Sequence, residues 1–113
     1  MHQEEEQLEN FLAKKKRLLT KKYNGQLLDR NEAVFQIQFE SAPAFYLCAT
    51  KTDFHFLKGQ AVSPDITLYF DQAKTLWDTL NQNLDFDQIF LESRYRSDGE
   101  IILSQIFLYL FSK

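Results

Sequence analysis

The chain has 113 residues, a length that suits one domain, expected to span residues 1–113. Its 13 Lys and Arg against 16 Asp and Glu give a formal net charge of −3, which argues against a nucleic-acid binder held by overall positive charge. Hydrophobic residues make up 44% and include 11 Phe, enough for a substantial core, while the single cysteine, Cys48, excludes an intramolecular disulfide.

Residues 4–22 carry Leu8, Phe11, Leu12 and Leu19 at helical spacing, with Leu18 beside them. Glu4, Glu5, Glu6 and Glu9 stand at the start; Lys14, Lys15, Lys16, Arg17, Lys21 and Lys22 stand at the end, the order that suits the helix dipole. Asn24-Gly25 is expected to stop this helix. Residues 34–40 then alternate, with Phe35, Ile37 and Phe39 on one face and Gln36, Gln38 and Glu40 on the other, which predicts a strand. Ser41-Ala42-Pro43 breaks it, residues 44–50 form a second strand, Lys51-Thr52-Asp53 a turn, and residues 54–57 a third strand ending near Gly59. Ser63-Pro64-Asp65 opens a fourth over residues 66–70, and the short connections predict antiparallel neighbours.

Helices return after the fourth strand. Asp71 is the expected N-cap of a helix whose Ala73, Leu76, Trp77, Leu80 and Leu84 form one apolar stripe. Asp85 with Gln88 matches a capping box, opening a short helix with Phe86, Ile89 and Phe90 inward. Residues 93–97 alternate as a fifth strand, and Asp98-Gly99 turns the chain into its last segment. Residues 101–111 are apolar except for Ser104 and Gln105, so as a helix they lack the polar face that water requires. They cover about half of the ~20 apolar residues that a membrane span needs. A partner protein, a lipid phase, or a wrapping fold with room for an apolar ligand would each cover them. Here Ile102, Ile106, Phe107 and Leu110 face inward, while Leu103, Leu108 and Phe111 face outward.

From Ser63-Pro64-Asp65-Ile66-Thr67-Leu68 onward the chain resembles the sterol carrier protein 2 family. The family pattern runs from such a strand to an amphipathic helix, a Leu-Asp step, a short helix, a basic strand, a Gly-acidic turn and a last apolar helix. The matching stretches are residues 63–70, 73–80, Leu84-Asp85, residues 86–91, 94–96, Gly99-Glu100 and residues 101–111, and with the upstream strands the resemblance covers about residues 33–111. Gln82-Asn83 replaces a common Gly-Lys, Phe86 a common Pro, and Ser93 a common Gly, changes that bear on whether a ligand tunnel stays open.

The resemblance implies an α+β fold: a five-stranded, mainly antiparallel sheet covered by helices, with a hydrophobic tunnel between the sheet and the later helices. It implies non-catalytic binding and carrying of an apolar lipid of the sterol, fatty acyl or isoprenoid and quinone type. Some bacterial members are accessory proteins that handle ubiquinone precursors. The wall residues would be Leu76, Trp77, Leu80, Phe86, Ile89, Phe90, Ile102, Ile106, Phe107 and Leu110. In this reading Phe107→Asp abolishes lipid binding and leaves the sheet folded. The alternative is an interaction module with a closed cavity, either a homodimer or a partner of a lipid or quinone biosynthetic enzyme.

Other chemistry has little support in the residues. Cys48 and His55 lie opposite each other if the turn centres on Lys51-Thr52, but no orienting carboxylate or oxyanion donor set accompanies them. His2, His55 and Cys48 have none of the spacings of a zinc site, and Gly25, Gly59 and Gly99 are too scattered to cradle phosphates, so no metal, cofactor or enzymatic activity is expected. Lys14, Lys15, Lys16 and Arg17 would suit transient contact with an anionic membrane surface, or simply a solvated helix end. The acidic start Met1-His2-Gln3-Glu4-Glu5-Glu6 is unlike a secretory leader, and Phe111-Ser112-Lys113 lacks the terminal Leu of a peroxisomal address, so a cytoplasmic setting is expected.

Overall fold

The computed structural model describes residues 2–81 and 86–112, with side chains from residue 7 onward and without that of Phe86. The expected capping box of Asp85 with Gln88, the stripe position Leu84, and Gln82 therefore lie outside the described residues. The order is α1 (His2–Leu19), β1 (Glu32–Phe39), β2 (Phe45–Thr50), β3 (Phe54–Lys58), β4 (Ile66–Phe70), α2 (Ala73–Leu80), α3 (Phe86–Leu91), β5 (Tyr95–Gly99) and α4 (Ile101–Tyr109). The α-helical part of α1 ends before Asn24-Gly25, giving way to 3-10 turns at Thr20–Lys22 and Gly25–Leu27.

The strands form one open five-stranded sheet in the order β3-β2-β1-β4-β5, with helices segregated onto its inner face, an α+β architecture. Three pairings are antiparallel, and those of β1 with β2 and of β2 with β3 follow the short connections as predicted, but β1 and β4 run parallel. The reason is the crossing made by residues 59–65. This stretch leaves edge strand β3, passes over β2 and β1 on the outer face, and lays β4 beside β1 in the same direction. Three strand spacings are about 14 Å, a span that a nearly extended seven-residue segment reaches. Gln36, buried within β1, holds the crossing down. Its Nε2 donates to the carbonyls of Phe45 at 3.2 Å and Gly59 at 3.1 Å, and its Oε1 accepts from the Ala61 N–H at 2.7 Å. At the far end the Asp65 carboxylate accepts from the Val34 N–H at 2.7 Å, which starts β4 in register with β1.

Two sequence expectations about termini shift by one or two residues. Asp71 stands just before the cap position, which is Gln72 and makes no side-chain cap. Asp71 instead accepts from the Gln72 N–H at 2.8 Å and the Thr75 hydroxyl at 2.6 Å through Oδ1, and from Arg94 Nε at 3.2 Å through Oδ2. Partial burial opposes its charge, yet these donors outweigh it and hold the carboxyl below the usual range. The fifth strand begins at Tyr95 rather than Ser93, because Ser93 and Arg94 finish the end of α3. The Ser93 N–H donates to the Phe90 carbonyl at 3.1 Å and the Arg94 N–H to the Ile89 carbonyl at 2.9 Å, the paired bonds of a Schellman motif.

In that motif the residue after the helix takes a left-handed conformation, and Ser93 does so with φ of 60°. A glycine adopts it without the Cβ penalty. Ser93→Gly is expected to stabilise the fold by roughly 0.5–1 kcal/mol, read as a higher urea midpoint at unchanged slope. A lower midpoint would mean that the serine side chain contributes something the backbone geometry does not reveal.

Candidate functional site

The inner face of the sheet follows from strand alternation. Phe35, Ile37 and Phe39 of β1, Phe45 and Leu47 of β2, Phe54 and Phe56 of β3, Ile66, Leu68 and Phe70 of β4, and Tyr95 of β5 all point into the core or pack against it. Helical spacing brings Leu76, Trp77 and Leu80 of α2 down onto this surface, and Leu103 and Phe107 of α4, with Leu110 and Phe111 just beyond it.

Trp77 is the hub of this layer. Phe45 stacks on it at 5.7 Å with ring planes 4° apart. Phe56 and Phe11 meet it edge-on, each at 5.7 Å. Further rings extend the layer in both directions. Phe107 lies 5.4 Å from Phe35, Phe111 lies 5.1 Å from Phe54 and 5.6 Å from Tyr23, and Phe70 lies 4.9 Å from Tyr95. Tilted and edge-on contacts of this kind match the aromatic quadrupoles better than a direct face-to-face sandwich.

The buried polar groups are matched, with one exception. Thr79 Oγ1 donates to the Thr75 carbonyl at 2.7 Å, and the hydroxyls of Tyr95 and Ser104 bond each other. Burial pushes the Tyr95 phenol up, and burial with the nearby Asp53 carboxylate pushes Tyr23 up to about 12. The Tyr23 hydroxyl donates to the Thr50 carbonyl. Among the described residues the indole nitrogen of Trp77 is the buried side-chain donor without a partner.

Of the ten expected wall residues, Leu76, Trp77, Leu80, Ile89, Phe107 and Leu110 share this one core, and Ile106 packs against it half-buried. Phe90 and Ile102 do not. They are 58% and 54% exposed, and the expectation that they face inward is corrected. The outward expectation for Leu103 and Phe111 is likewise reversed, since both are fully buried. For Phe90 and Ile102 the buried residue is the immediate neighbour, Ile89 and Leu103, about 100° round the helix. On an all-apolar helix the periodicity carries no direction, so only contact with the sheet orients α4. Phe11, Phe45, Phe56 and Phe39 were missing from the expected set. The opposition of Cys48 and His55 held the signal for two of them: it places both on the outer face and therefore Phe45 and Phe56 on the inner one.

Several concavities flank the core, among them one of about 300 Å³ lined by Gln38, Tyr69, Asp71, Ser93, Arg94 and Arg96. A cleft of about 790 Å³ is lined by Gln7, Leu8 and Phe11 of α1 and by Glu40, Ser41, Ala42 and Pro43 of the β1–β2 connection. Phe11, 41% exposed, joins this cleft to Trp77. A groove of about 440 Å³ runs between α1 and β3, where Lys58 pairs with Glu9 at 2.7 Å. A smaller groove of about 210 Å³ is lined by Leu27, Ile102, Gln105, Ile106 and Tyr109.

Cys48 does face His55 across β2 and β3. Burial, together with the Glu32 charge, pushes the thiol up, which disfavours the thiolate a nucleophile needs. The imidazole is engaged elsewhere: Lys16 Nζ donates to Nδ1 at 3.0 Å, which leaves Nε2 facing Asp53 Oδ2 at 3.4 Å. The basic run is split in the same way. Lys14 and Arg17 are exposed, Lys16 is held by His55 and Asp53, and Lys15 Nζ sits over the rings of Phe11 and Trp77 at 5.3 and 5.1 Å. Among the described residues no helix is long and apolar enough to cross a membrane.

No family model matches the chain, and no curated protein matches it. Solved structures do. A ubiquinone synthesis protein, UbiJ-SCP2, superposes with a TM-score of 0.72 at 17% identity, over 88% of this chain and 91% of that one. Palmitated SCP2L2 from Aedes aegypti superposes with a TM-score of 0.62 at 11% identity, over 90% and 92%. This is a sterol carrier protein 2 fold. The same SCP2-like fold is found within the inverting sec-alkylsulfatase Pisa1 from Pseudomonas sp., with a TM-score of 0.66 at 17% identity, where the match covers 85% of this chain but spans only 16% of the sulfatase.

Proposed function

We propose that this chain binds an apolar lipid in the layer between the inner sheet face and the later helices, and carries it without making or breaking a bond. The observation that supports this most is the aromatic layer centred on Trp77, approached beside the half-exposed Phe11 from the 790 Å³ cleft. Burial of an alkyl or isoprenoid chain contributes about 25 cal/mol per Å², so such a ligand binds there without a charged partner. Leu76, Trp77, Leu80, Ile89, Ile106, Phe107 and Leu110 form the wall in this reading. Phe90 and Ile102, which face solvent, drop out.

The ligand range is sterol, fatty acyl and isoprenoid or quinone lipid. The likeness to a ubiquinone synthesis protein and to a palmitated mosquito protein supports the last two. Exchange would take place at an anionic membrane surface in the cytoplasm through Lys14 and Arg17, each cation contributing about 1 kcal/mol. Lys16 is engaged by His55 and Asp53, and Lys15 is turned onto the rings of Phe11 and Trp77.

A second reading rests on α4. Ile101, Ile102 and Tyr109 are exposed beside the groove at Leu27 and Ile106, and a homodimer or an enzyme partner seated there would cover them. Native mass spectrometry of the purified protein separates the two. The carrier reading expects a monomer with a co-purified lipid mass, or uptake of added palmitate or a ubiquinone. A lipid-free dimer that takes up neither would sink it in favour of the module.

A further inference from the structure

Trp77 is the chain's one tryptophan and is 7% exposed, with its indole nitrogen enclosed and unpartnered among the described residues. An indole N–H can only donate. A buried donor with no acceptor keeps its whole desolvation penalty, and native interiors seldom leave one unexplained. The packing accounts for the ring but not for the nitrogen, because Phe45, Phe56 and Phe11 offer it only hydrocarbon.

A second observation points the same way. Lys15 Nζ lies 5.1 Å from the centre of the Trp77 ring system. Lys16, Lys58 and Lys74 each pair with a carboxylate, whereas Lys15 has only the rings of Phe11 and Trp77 as its partners among the described residues. Beside Phe11, whose ring touches that of Trp77, opens the cleft whose apolar lining includes Leu8, Ala42 and Pro43. Glu40 is the acid among its lining residues and is exposed, so water screens it.

We propose that the Trp77 Nε1–H and the Lys15 ammonium form a head-group subsite, next to Phe11, for a lipid ending in a hydrogen-bond-accepting oxygen, with a carboxylate preferred. This rests on the lipid-binding reading above and adds the polar end that the apolar wall does not specify. An ester or alcohol oxygen satisfies the N–H alone. A carboxylate satisfies the N–H and also faces the Lys15 charge, in surroundings whose low polarity strengthens both interactions. A quaternary ammonium head satisfies neither and is repelled by Lys15.

The single indole N–H gives one resonance in a spectrum of ¹⁵N-labelled protein. The intact chain is titrated with dodecanoate, 1-dodecanol and dodecyltrimethylammonium, each below its micelle concentration. The indole proton is expected to move downfield with dodecanoate and dodecanol and to stay in place with the ammonium. By calorimetry dodecanoate binds about tenfold more tightly than dodecanol. Lys15→Met removes that advantage and leaves dodecanol unchanged. Trp77→Phe, which keeps a ring and deletes the N–H, weakens dodecanoate and dodecanol each about tenfold. If all three bind while the indole resonance stays in place, or if dodecanoate and the ammonium bind equally, the subsite is overturned and the lipid reading stands. If none binds, the lipid reading falls and the subsite with it. The wild-type resonance decides the matter even if a variant fails to fold.

Discussion

Phe107→Asp is expected to unfold the chain rather than only empty a lipid site. Read from the sequence, Phe107 is one wall of a cavity, and an aspartate there would repel lipid and spare the sheet. In the structure Phe107 is fully buried on α4, its ring 5.4 Å from that of Phe35 on the central strand. A carboxylate at this position has no cation or donor built to meet it, and an unpaired buried charge exceeds what a marginally stable fold tolerates. Phe107→Ala isolates the packing part of the effect, at about 3–5 kcal/mol. Ile102→Asp, five residues earlier on the same helix and half in solvent, is expected to change stability by no more than about 0.5 kcal/mol. Urea unfolding followed by circular dichroism measures all three. A folded Phe107→Asp protein with near-wild-type stability would show that α4 is oriented differently from what is described.

Gly25→Ala should be similarly damaging, although it adds a single methyl group. A Cβ on Gly25 would lie 2.6 Å from the carbonyl oxygens of both Thr50 and Lys51, and 2.7 Å from the Lys51 carbonyl carbon. All three are backbone atoms, so no side chain can swing aside. The neighbouring residues fasten the same contact. The Tyr23 hydroxyl donates to the Thr50 carbonyl, Gln26 Nε2 to the Lys51 carbonyl at 3.2 Å, and Lys51 Nζ to the Leu28 carbonyl at 2.7 Å. The Asn24 N–H meanwhile donates to the Leu110 carbonyl at 2.6 Å. Residues 23–28 thus tie the β2–β3 hairpin to the end of α4, and forcing them apart costs about 3 kcal/mol or more. At an unconstrained site, Gly→Ala stabilises by roughly 0.4–1 kcal/mol, so the sign alone is diagnostic. Denaturant midpoints give the magnitude, and faster amide exchange at Asn24 would locate the damage.

Much of the fold was legible because each element advertises one period. Phe35, Ile37 and Phe39 alternate, as do Ile66, Leu68 and Phe70, and these became β1 and β4. The Leu76, Trp77, Leu80 stripe became the buried face of α2. The placement of Cys48 against His55 followed from the turn at Lys51-Thr52. The parallel pairing of β1 with β4 was not legible. It depends on the path of residues 59–65 over the outer sheet face and on Gln36, which reads locally as one more polar residue of an alternating strand.

The candidate site divides along the same line. Residue type and period alone determined that an apolar, aromatic interior would form from α2, α4 and the inner sheet face, because hydrophobic burial is non-directional and needs only the right residues at the right spacing. Which rings meet, and which side of α4 faces them, was decided by the tertiary structure. A helix as apolar all round as residues 101–109 is turned by its partners: Phe35 and Phe54 draw in Phe107 and, just beyond the helix, Phe111, and the rotation that buries Leu103 leaves Ile102 in water. The unpartnered Trp77 nitrogen and the Lys15 ammonium above its ring are likewise invisible in the sequence. They arise only when Phe11 and Lys15 of α1 meet Trp77 of α2, some sixty residues further along the chain, because hydrogen bonding, unlike burial, depends on direction and on which groups packing leaves unmatched.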